Sequence, residues 1–544
     1  GDPHGGGGGG GGASEEAAQA AIRAALPCLS LLQALAEILA PYCPGGHSHF
    51  ASEALGLHVR RQLEDPLTLG SGVASRIPWV PALCRARSVL PLSVRHLYFT
   101  CSSLGASRAL ASLRAPGSAA PPPDEGLALG GGGFLVQRVG GSLFERGRVF
   151  GRMMQQPELR VPELARETVE IDHAHAGHED RRPLMVWAEL ILEAHAKSAT
   201  VLDVTWRGEE GHGSGPTRKF FEKVAAELAS ERENETCRMW RDVGDADKEG
   251  LFPAELPEDN EERTKRLRRL RLIGLFIAKA LQQGQKPGLF LARPLLKLIL
   301  GDRVGFEDIK DLDKQLAAGV SKVQEWQELK SRVMEGGEEM EEEEKARCVT
   351  HVNEELRMME NENGEQVTYD NLDPYVAQLK EDCVRRFDIP QQVEAIREGI
   401  ERVFPWRSLR VFRSEEIQQM LWSDIEWGEG GLEALVRPGP TWPKEREQVK
   451  WLRDLLLSMD TRRRRAFVRF VTASVCKPAA SNPIIVYPQV ESSPPAGVGG
   501  QGCDSKLPTC RTCVNFLYLP NYSSPAVLQE RLGLAMWEEH IAFD

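Results

Sequence analysis

The chain has 544 residues, 41% of them hydrophobic and 27% charged, which is long and apolar enough to bury more than one core. A net charge of -12 argues against a nonspecific nucleic-acid binder, which needs a clustered basic face. Eleven irregularly spread cysteines make no disulfide scaffold and point to a reducing, cytoplasmic or nuclear setting.

The sequence opens Gly-Asp-Pro-His without Met, so a longer natural N-terminus is expected, with any targeting segment on it. Gly5 to Gly12 is an unbroken glycine run, and residues 1–14 read as a flexible tether. Residues 15–42 carry apolar side chains at helical spacing interrupted at Pro27, and with residues 48–114 they form a helical module over 15–114. Residues 115–159 begin rich in Pro, Gly and Ala, with Pro121, Pro122 and Pro123 in succession, and read as a linker or insertion. His173, His175 and His178 lie with Asp172, Glu179 and Asp180; His-x-His spacing suits zinc, but no flanking strand pattern frames it, and the segment reads as a solvated connector.

Val201 to Trp206 reads as a strand, followed by a glycine-rich turn and a helix that buries Phe220, Phe221, Val224 and Leu228. The glycine spacing matches neither Gly-x-Gly-x-x-Gly nor Gly-x-x-x-x-Gly-Lys-Ser/Thr, so the turn serves packing rather than phosphate binding. The stretch Leu272 to Leu281 is broken by Lys279 and is too short to span a bilayer. Glu335, Glu338, Glu339 and Glu341 to Glu344 form an acidic block that reads as a solvated loop or helix face. Arg462 to Arg465 read as the exposed turns of a helix. Ser492 to Gly502 is a linker-like stretch of Ser, Pro and Gly.

Val514 to Leu519 has the composition of a short buried strand, ended by Pro520. Asn521 to Pro525 then offers a turn, a Ser cap and a first-turn Pro, and Val527, Leu528, Leu532, Ala535 and Met536 give the helix an apolar face. Cys513 therefore sits where a loop enters a strand. The residues alone leave its role open between a buried structural thiol, a zinc ligand with Cys510 and Cys503, a redox dithiol with Cys510, and a nucleophile.

The run Leu-Pro-x-x-x-Thr-Cys-x-Asn-x-Leu-x-Leu-Pro-x-Tyr-Ser-Ser from Leu507, with the Leu-bearing helix after it to Leu534, resembles the active-site end of HECT ubiquitin ligases. The resemblance implies an α+β, bilobal fold, with a mostly helical N-lobe and a smaller α/β C-lobe, behind a helical segment. It implies a cysteine thioester mechanism with Cys513, beside Thr512, as the ubiquitin acceptor. Cys510 is unusual for the family and suggests a local disulfide that would shut the enzyme off on oxidation.

Upstream, Val201 to Thr217 resembles the family's opening strand and glycine turn, and Leu272 to Leu281 a core helix. Asp308 to Asp313 resembles an acidic turn, and Val367 to Val376 a strand and helix start leaving the subdomain that docks the conjugating enzyme. Tyr375 could anchor near such a contact or be a buried core ring. Phe412 to Ile417 resembles the end of the N-lobe, with a hinge at Ser423, Asp424 and Ile425, and Phe467 to Ala473 resembles a C-lobe core helix. The implied layout is an N-lobe over 160–422 with a subdomain at about 310–375, a hinge over 423–425 and a C-lobe over 426–544.

Arg61 to Leu67, Ile77 to Trp79 and Ser107 to Ala109 resemble the segment before the HECT domain in the ubiquitin-fusion-degradation branch, that of the thyroid-receptor-interacting and plant KAKTUS ligases. The implied partners are ubiquitin, a conjugating enzyme and protein substrates bound for proteasomal degradation, with no nucleic acid, membrane, cofactor or metal. Phe543 is penultimate where the family places its functional Phe four from the end, Ser423 and Ala473 stand where Gly is usual, and the acidic block replaces part of the subdomain's start. These departures keep a second reading open, a ligase-like scaffold that binds partners without transfer. Helical repeats over 15–135 would instead mark an adaptor, and none is visible.

Overall fold

The structure is a computed structural model and describes residues 24, 27–63, 79–105, 108–109, 164–172, 183–208, 214–230, 239–241, 250–310, 312–335, 342–357, 359–360, 364–423, 425, 427–439, 447–478, 482–489 and 503–541. The glycine run, the 115–159 linker, His173 to His178, Asp424, Ser492 to Gly502 and Phe543 lie outside the described residues. Among the described residues helices dominate, with two small sheets, an α+β fold that divides into two compact units.

The first unit comprises Gly1–Thr217, Gln282–Gly284 and Ile400–Glu416. Its helices are α1 (27–39), α2 (Glu53–Leu63), α3 (Trp79–Arg85) and α4 (Leu92–Ser103). In α4 the spacing of Val94, Leu97, Tyr98 and Phe99 puts all four on the buried side. Phe99 meets Phe404 and Phe412 edge-on at 5.1 and 5.3 Å. β1 (Arg166–Ile171) and β2 (Val201–Trp206) pair in parallel with Arg166 opposite Val201. Parallel pairing needs a crossover, and α5 (Leu184–Ala194) supplies it. Leu202, Val204 and Trp206 alternate into the core. The Arg108 guanidinium ties down the carbonyls of Ala199, Thr200 and Gln282.

The second unit comprises Arg218–Leu281, Gln285–Gly399 and Ile417–Asp544. Within α6 (Ser214–Ser230), Phe220, Phe221, Val224 and Leu228 are fully buried, as their spacing predicts. In α7 (Asn260–Gln283), residues 272–280 are all buried, so that apolar run is core. There follow α8 (Arg293–Leu300), α9 (Phe306–Ile309), α10 (Lys314–Glu335), α11 (Glu342–Leu356), α12 (Leu372–Arg385) and α13 (Pro390–Glu401). α7 and α13 touch backbone to backbone: a Cβ on Gly274 would stand 2.0 Å from the Ile396 carbonyl oxygen, and one on Gly399 2.0 Å from that of Arg271.

Two expectations change here, and a third, that of the acidic block, holds. The strand over Val367 and Thr368 does not form, and only an isolated bridge joins Glu360 and Gln366. Thr368 N–H donates to Asn371 Oδ1 at 2.7 Å and Tyr369 N–H to Asn353 Oδ1 at 2.7 Å, so side chains take the donors a ladder would use. The acidic run from Asp308 is split. Asp308 lies inside α9, accepting from Gly305 N–H and pairing with Lys297, while Asp313 accepts from Leu316 N–H at the start of α10. The acidic block closes α10 at Glu335 and opens α11 at Glu342, where Glu343 and Glu344 are exposed and suit the helix dipole.

The last stretch runs α14 (Ser414–Leu421), α15 (Glu429–Leu435), β3 (Val436–Pro438), α16 (Glu447–Ser458), α17 (Thr461–Thr472), β4 (Ile484–Pro488), β5 (Thr509–Arg511), β6 (Phe516–Leu519) and α18 (Pro525–Ile541). The sheet order is β3-β4-β6-β5, parallel except for β5, which turns back antiparallel on β6. One core gathers Leu452, Phe467 and Val471 from the helices, Ile484, Val486, Leu517 and Leu519 from the strands, and Leu528 and Leu532 from α18. The face expected of α18 is thus the buried one, and Ser524 caps it by accepting from Val527 N–H. Arg462 and Arg463 are exposed, but Arg464 and Arg465 are half-buried rather than free turns. Arg464 donates to the carbonyls of Leu456 and Leu457 and stacks on Trp427, and Arg465 lies over Trp422.

Candidate active site

Cys513 occupies the turn between β5 and β6, residues 512–515, with Thr509 opposite Tyr518 and Arg511 opposite Phe516. The strand expected from Val514 begins two residues later, at Phe516, and a strand the composition did not announce, β5, precedes the thiol. Asn515 sets this boundary. Its backbone is left-handed at φ 57, a conformation Asn tolerates because its short polar side chain bonds locally and one that strand geometry excludes. Its side chain is 3% exposed and donates from Nδ2 to the Asn482 carbonyl at 2.8 Å. Its carbonyl accepts from Ile485 N–H at 3.0 Å, joining the turn to β4. The turn is therefore anchored at one end while Cys513 and Val514 at its tip are exposed.

Cys510 points the other way. It packs against the core and donates its thiol hydrogen to the Phe470 carbonyl at 3.0 Å. Neither thiol is in a disulfide, and Cys510 is half-buried while Cys513 is exposed.

Arg218 of α6 reaches this turn. One guanidinium nitrogen, Nη1, donates to the carbonyl of Thr472 at 2.7 Å, the carbonyl of Thr512 at 3.1 Å and Asn515 Oδ1 at 3.2 Å. Burial pulls the Arg218 guanidinium below its ordinary value, with the neighbouring Cys513 opposing. One helical turn further along α6, Glu222 is sealed from water and pairs with Arg469 of α17 at 3.1 Å. Burial raises the Glu222 carboxyl above its ordinary value, and Arg469 works against that rise. Nothing in the sequence marks Arg218 for this position, because it lies 294 residues from Thr512 along the chain.

The other expected site residues are dispersed. Thr512 is half-buried and contributes its carbonyl to Arg218. Ser423 exchanges two bonds with Lys477: its carbonyl accepts from Lys477 N–H at 3.1 Å and its hydroxyl donates to the Lys477 carbonyl at 3.2 Å. Ile425 is buried in the C-terminal core. Tyr375 is neither a fully buried core ring nor free. It is half-buried against a separate cluster of Val323, Trp326, Val352, Leu356, Leu372 and Val376. Among the described residues no group of His, Cys, Asp and Glu could hold a metal ion, and no helix is long and apolar enough to cross a membrane.

The family model described as HECT-domain (ubiquitin-transferase) matches residues 224–544, more than half of the chain. The chain is 25% identical over 565 residues to the E3 ubiquitin-protein ligase hecd-1 of Caenorhabditis elegans, an alignment covering 90% of this chain and 20% of that protein. It is 24% identical over 599 residues to the E3 ubiquitin-protein ligase Ufd4 of Drosophila melanogaster, covering 90% and 20%. It is 25% identical over 543 residues to the E3 ubiquitin-protein ligase UPL3 of Arabidopsis thaliana, covering 91% and 27%. The chain thus spans between a fifth and just over a quarter of the length of these relatives.

Proposed function

The chain belongs to the HECT-domain (ubiquitin-transferase) family, and from that membership we propose that Cys513 accepts ubiquitin as a thioester from a conjugating enzyme and passes it to lysines of protein substrates. The observation that carries this reading is the exposed free thiol of Cys513 at the tip of an anchored hairpin inside the matched residues. An exposed thiol on a fixed backbone can approach another protein's thioester, and Cys is nucleophilic without a strong base.

In the first step the Cys513 thiolate attacks the carbonyl carbon of the donor thioester. A new C–S bond forms, the donor C–S bond breaks, and the conjugating enzyme's thiolate leaves. In the second, a deprotonated lysine amine attacks the same carbon. A C–N bond forms, the bond to Cys513 breaks, the nitrogen loses its proton to solvent, and the Cys513 thiolate is restored. The first step exchanges one thioester for another, so positioning rather than driving force sets its rate, whereas the second converts a thioester into a more stable amide.

In this reading residues 160–422 are the N-lobe, 423–425 the hinge and 426–544 the C-lobe, with Tyr375 in the subdomain that meets the conjugating enzyme and Phe543 in a tail that steadies transfer. Proteasomal degradation of the substrates fits the ubiquitin-fusion-degradation relatives, among them a probable ubiquitin fusion degradation protein of Schizosaccharomyces pombe.

The test mixes a ubiquitin-charged conjugating enzyme with the chain and with Cys513→Ala and Cys510→Ala, resolved on a non-reducing gel. A thiol-sensitive ubiquitin adduct lost only in Cys513→Ala is the expected result. An adduct that survives Cys513→Ala would move the acceptor elsewhere.

A further inference from the structure

We propose that Arg218 is a positioning residue for Cys513: through Asn515 and the Thr512 carbonyl it fixes the turn that presents the thiol. The inference rests on the reading of Cys513 as the ubiquitin acceptor. Arg218 and Glu222 both precede the stretch that the family model matches, which begins at residue 224.

The geometry is economical. All three acceptors of Arg218 meet at Nη1, and two of them, Thr512 and Asn515, bracket Cys513 and Val514 in the chain. Asn515 is held on both ends of its amide, by Arg218 at Oδ1 and by the Asn482 carbonyl at Nδ2. A left-handed residue with a buried, doubly bonded side chain has one conformation, so the exit direction of Cys513 is fixed with it. The third acceptor, Thr472, ends α17, where the helix dipole favours a cation.

A second observation shows that α6 is seated here on purpose-built contacts rather than by one long side chain. Glu222, four residues on and therefore on the same helix face, makes its buried pair with Arg469 of the same α17. Among the described residues Arg218 has no carboxylate partner of its own, so its charge is placed against carbonyls, an amide and the thiol turn.

The experiment times single-turnover loading of Cys513 across a range of charged conjugating enzyme. It compares the intact chain with Arg218→Ala, Arg218→Lys and Asn515→Ala, and follows thermal midpoints in parallel. A fixed turn is worth rate at saturation, so Arg218→Ala is expected to lower the saturating rate about tenfold with the half-saturating concentration unchanged. Arg218→Lys should recover most of the loss, because an ammonium nitrogen carries three donors for the same three acceptors. Asn515→Ala should resemble Arg218→Ala. Loading by Arg218→Ala within about twofold of wild type overturns the proposal, as does a defect confined to the half-saturating concentration or one that Lys leaves untouched.

If wild type forms no adduct with any conjugating enzyme, the acceptor reading fails instead. The proposal is then decided by alkylation of Cys513 with iodoacetamide, which needs no ubiquitin. Alkylation is expected to change about threefold in Arg218→Ala, since the turn that presents the thiol is no longer held, and equal rates overturn the proposal.

Discussion

Arg95 and Glu416 form a bidentate pair at 2.7 and 2.6 Å, both almost sealed from water, across 321 residues of chain. Arg95 also donates to the carbonyls of Leu90 and Val411, and Arg413 adds a second cation to Glu416 at 2.9 Å. A buried ion pair adds little over a well-packed apolar pair, but losing one partner strands the other. Arg95→Met is therefore expected to cost about 3 kcal/mol, read by urea unfolding, and Arg95→Met with Glu416→Met distinctly less. Equal losses in the single and double variants would show that packing, not charge, holds this joint.

The same pair sets an acid limit. Burial alone would raise the Glu416 carboxyl, but Arg95 and Arg413 outweigh it and hold the group below its ordinary value. The folded carboxyl thus releases its proton more readily than the unfolded one. Its stabilisation is complete above the unfolded value of about 4.3 and is lost as pH falls through the folded one. The stability gap between wild type and Arg95→Met should therefore be full at about pH 7 and narrow below about pH 4. A gap that widens on acidification would reverse the sign assigned here.

Ala473 closes α17 in the left-handed region, at φ 52 and ψ 35. The strain on an L side chain there is about 1–2 kcal/mol, part of which glycine repays in unfolded-state entropy. Ala473→Gly should raise stability by about 0.5–1 kcal/mol, visible as a higher thermal midpoint. A fall in the midpoint would mean the methyl group contributes more by packing than its backbone costs.

Gly274→Ala or Gly399→Ala should do the opposite. Each new Cβ meets a carbonyl oxygen of the facing helix, which cannot rotate away, so α7 and α13 must separate. Either change is expected to cost about 3 kcal/mol, measured by denaturant midpoint. A loss below about 1 kcal/mol would mean the two helices slide past each other easily.

The two cysteines of the hairpin should respond differently to a thiol reagent. Cys513 is exposed, while Cys510 is half-buried and hydrogen-bonded to Phe470, so brief iodoacetamide treatment followed by peptide mapping should mark Cys513 first. Cys510→Ala should cost about 1 kcal/mol in stability. Labelling of Cys510 at the same rate would mean that β5 detaches readily.

Much of the fold was legible wherever burial repeats at a regular period. Phe220, Phe221, Val224 and Leu228 mark the inner face of α6, Leu528 and Leu532 that of α18, and Leu202, Val204 and Trp206 that of β2. What failed was local competition. Val514 is a strand former by type, yet Asn515 beside it takes a left-handed turn. The strand expected from Val367 stops short because Asn371 and Asn353 claim the N–H donors of Thr368 and Tyr369. Arg464 and Arg465 looked like surface charge because composition does not reveal that Trp427 and Trp422 lie beneath them. The thiol itself was visible through its motif. Its neighbour Arg218 was not, since a contact across nearly three hundred positions leaves no spacing to read.

The length of α6 bears on how this protein can be cut. A piece trimmed to begin at residue 224 would start ten residues into a helix that opens at Ser214, nearly three turns along it. Such a piece omits Phe220 and Phe221, both fully buried, and with them Arg218 and Glu222. It would expose the aromatic seat of Phe276 and leave Arg469 without its carboxylate. A shortened version meant for crystallisation or screening should keep the helix whole and begin ahead of residue 214.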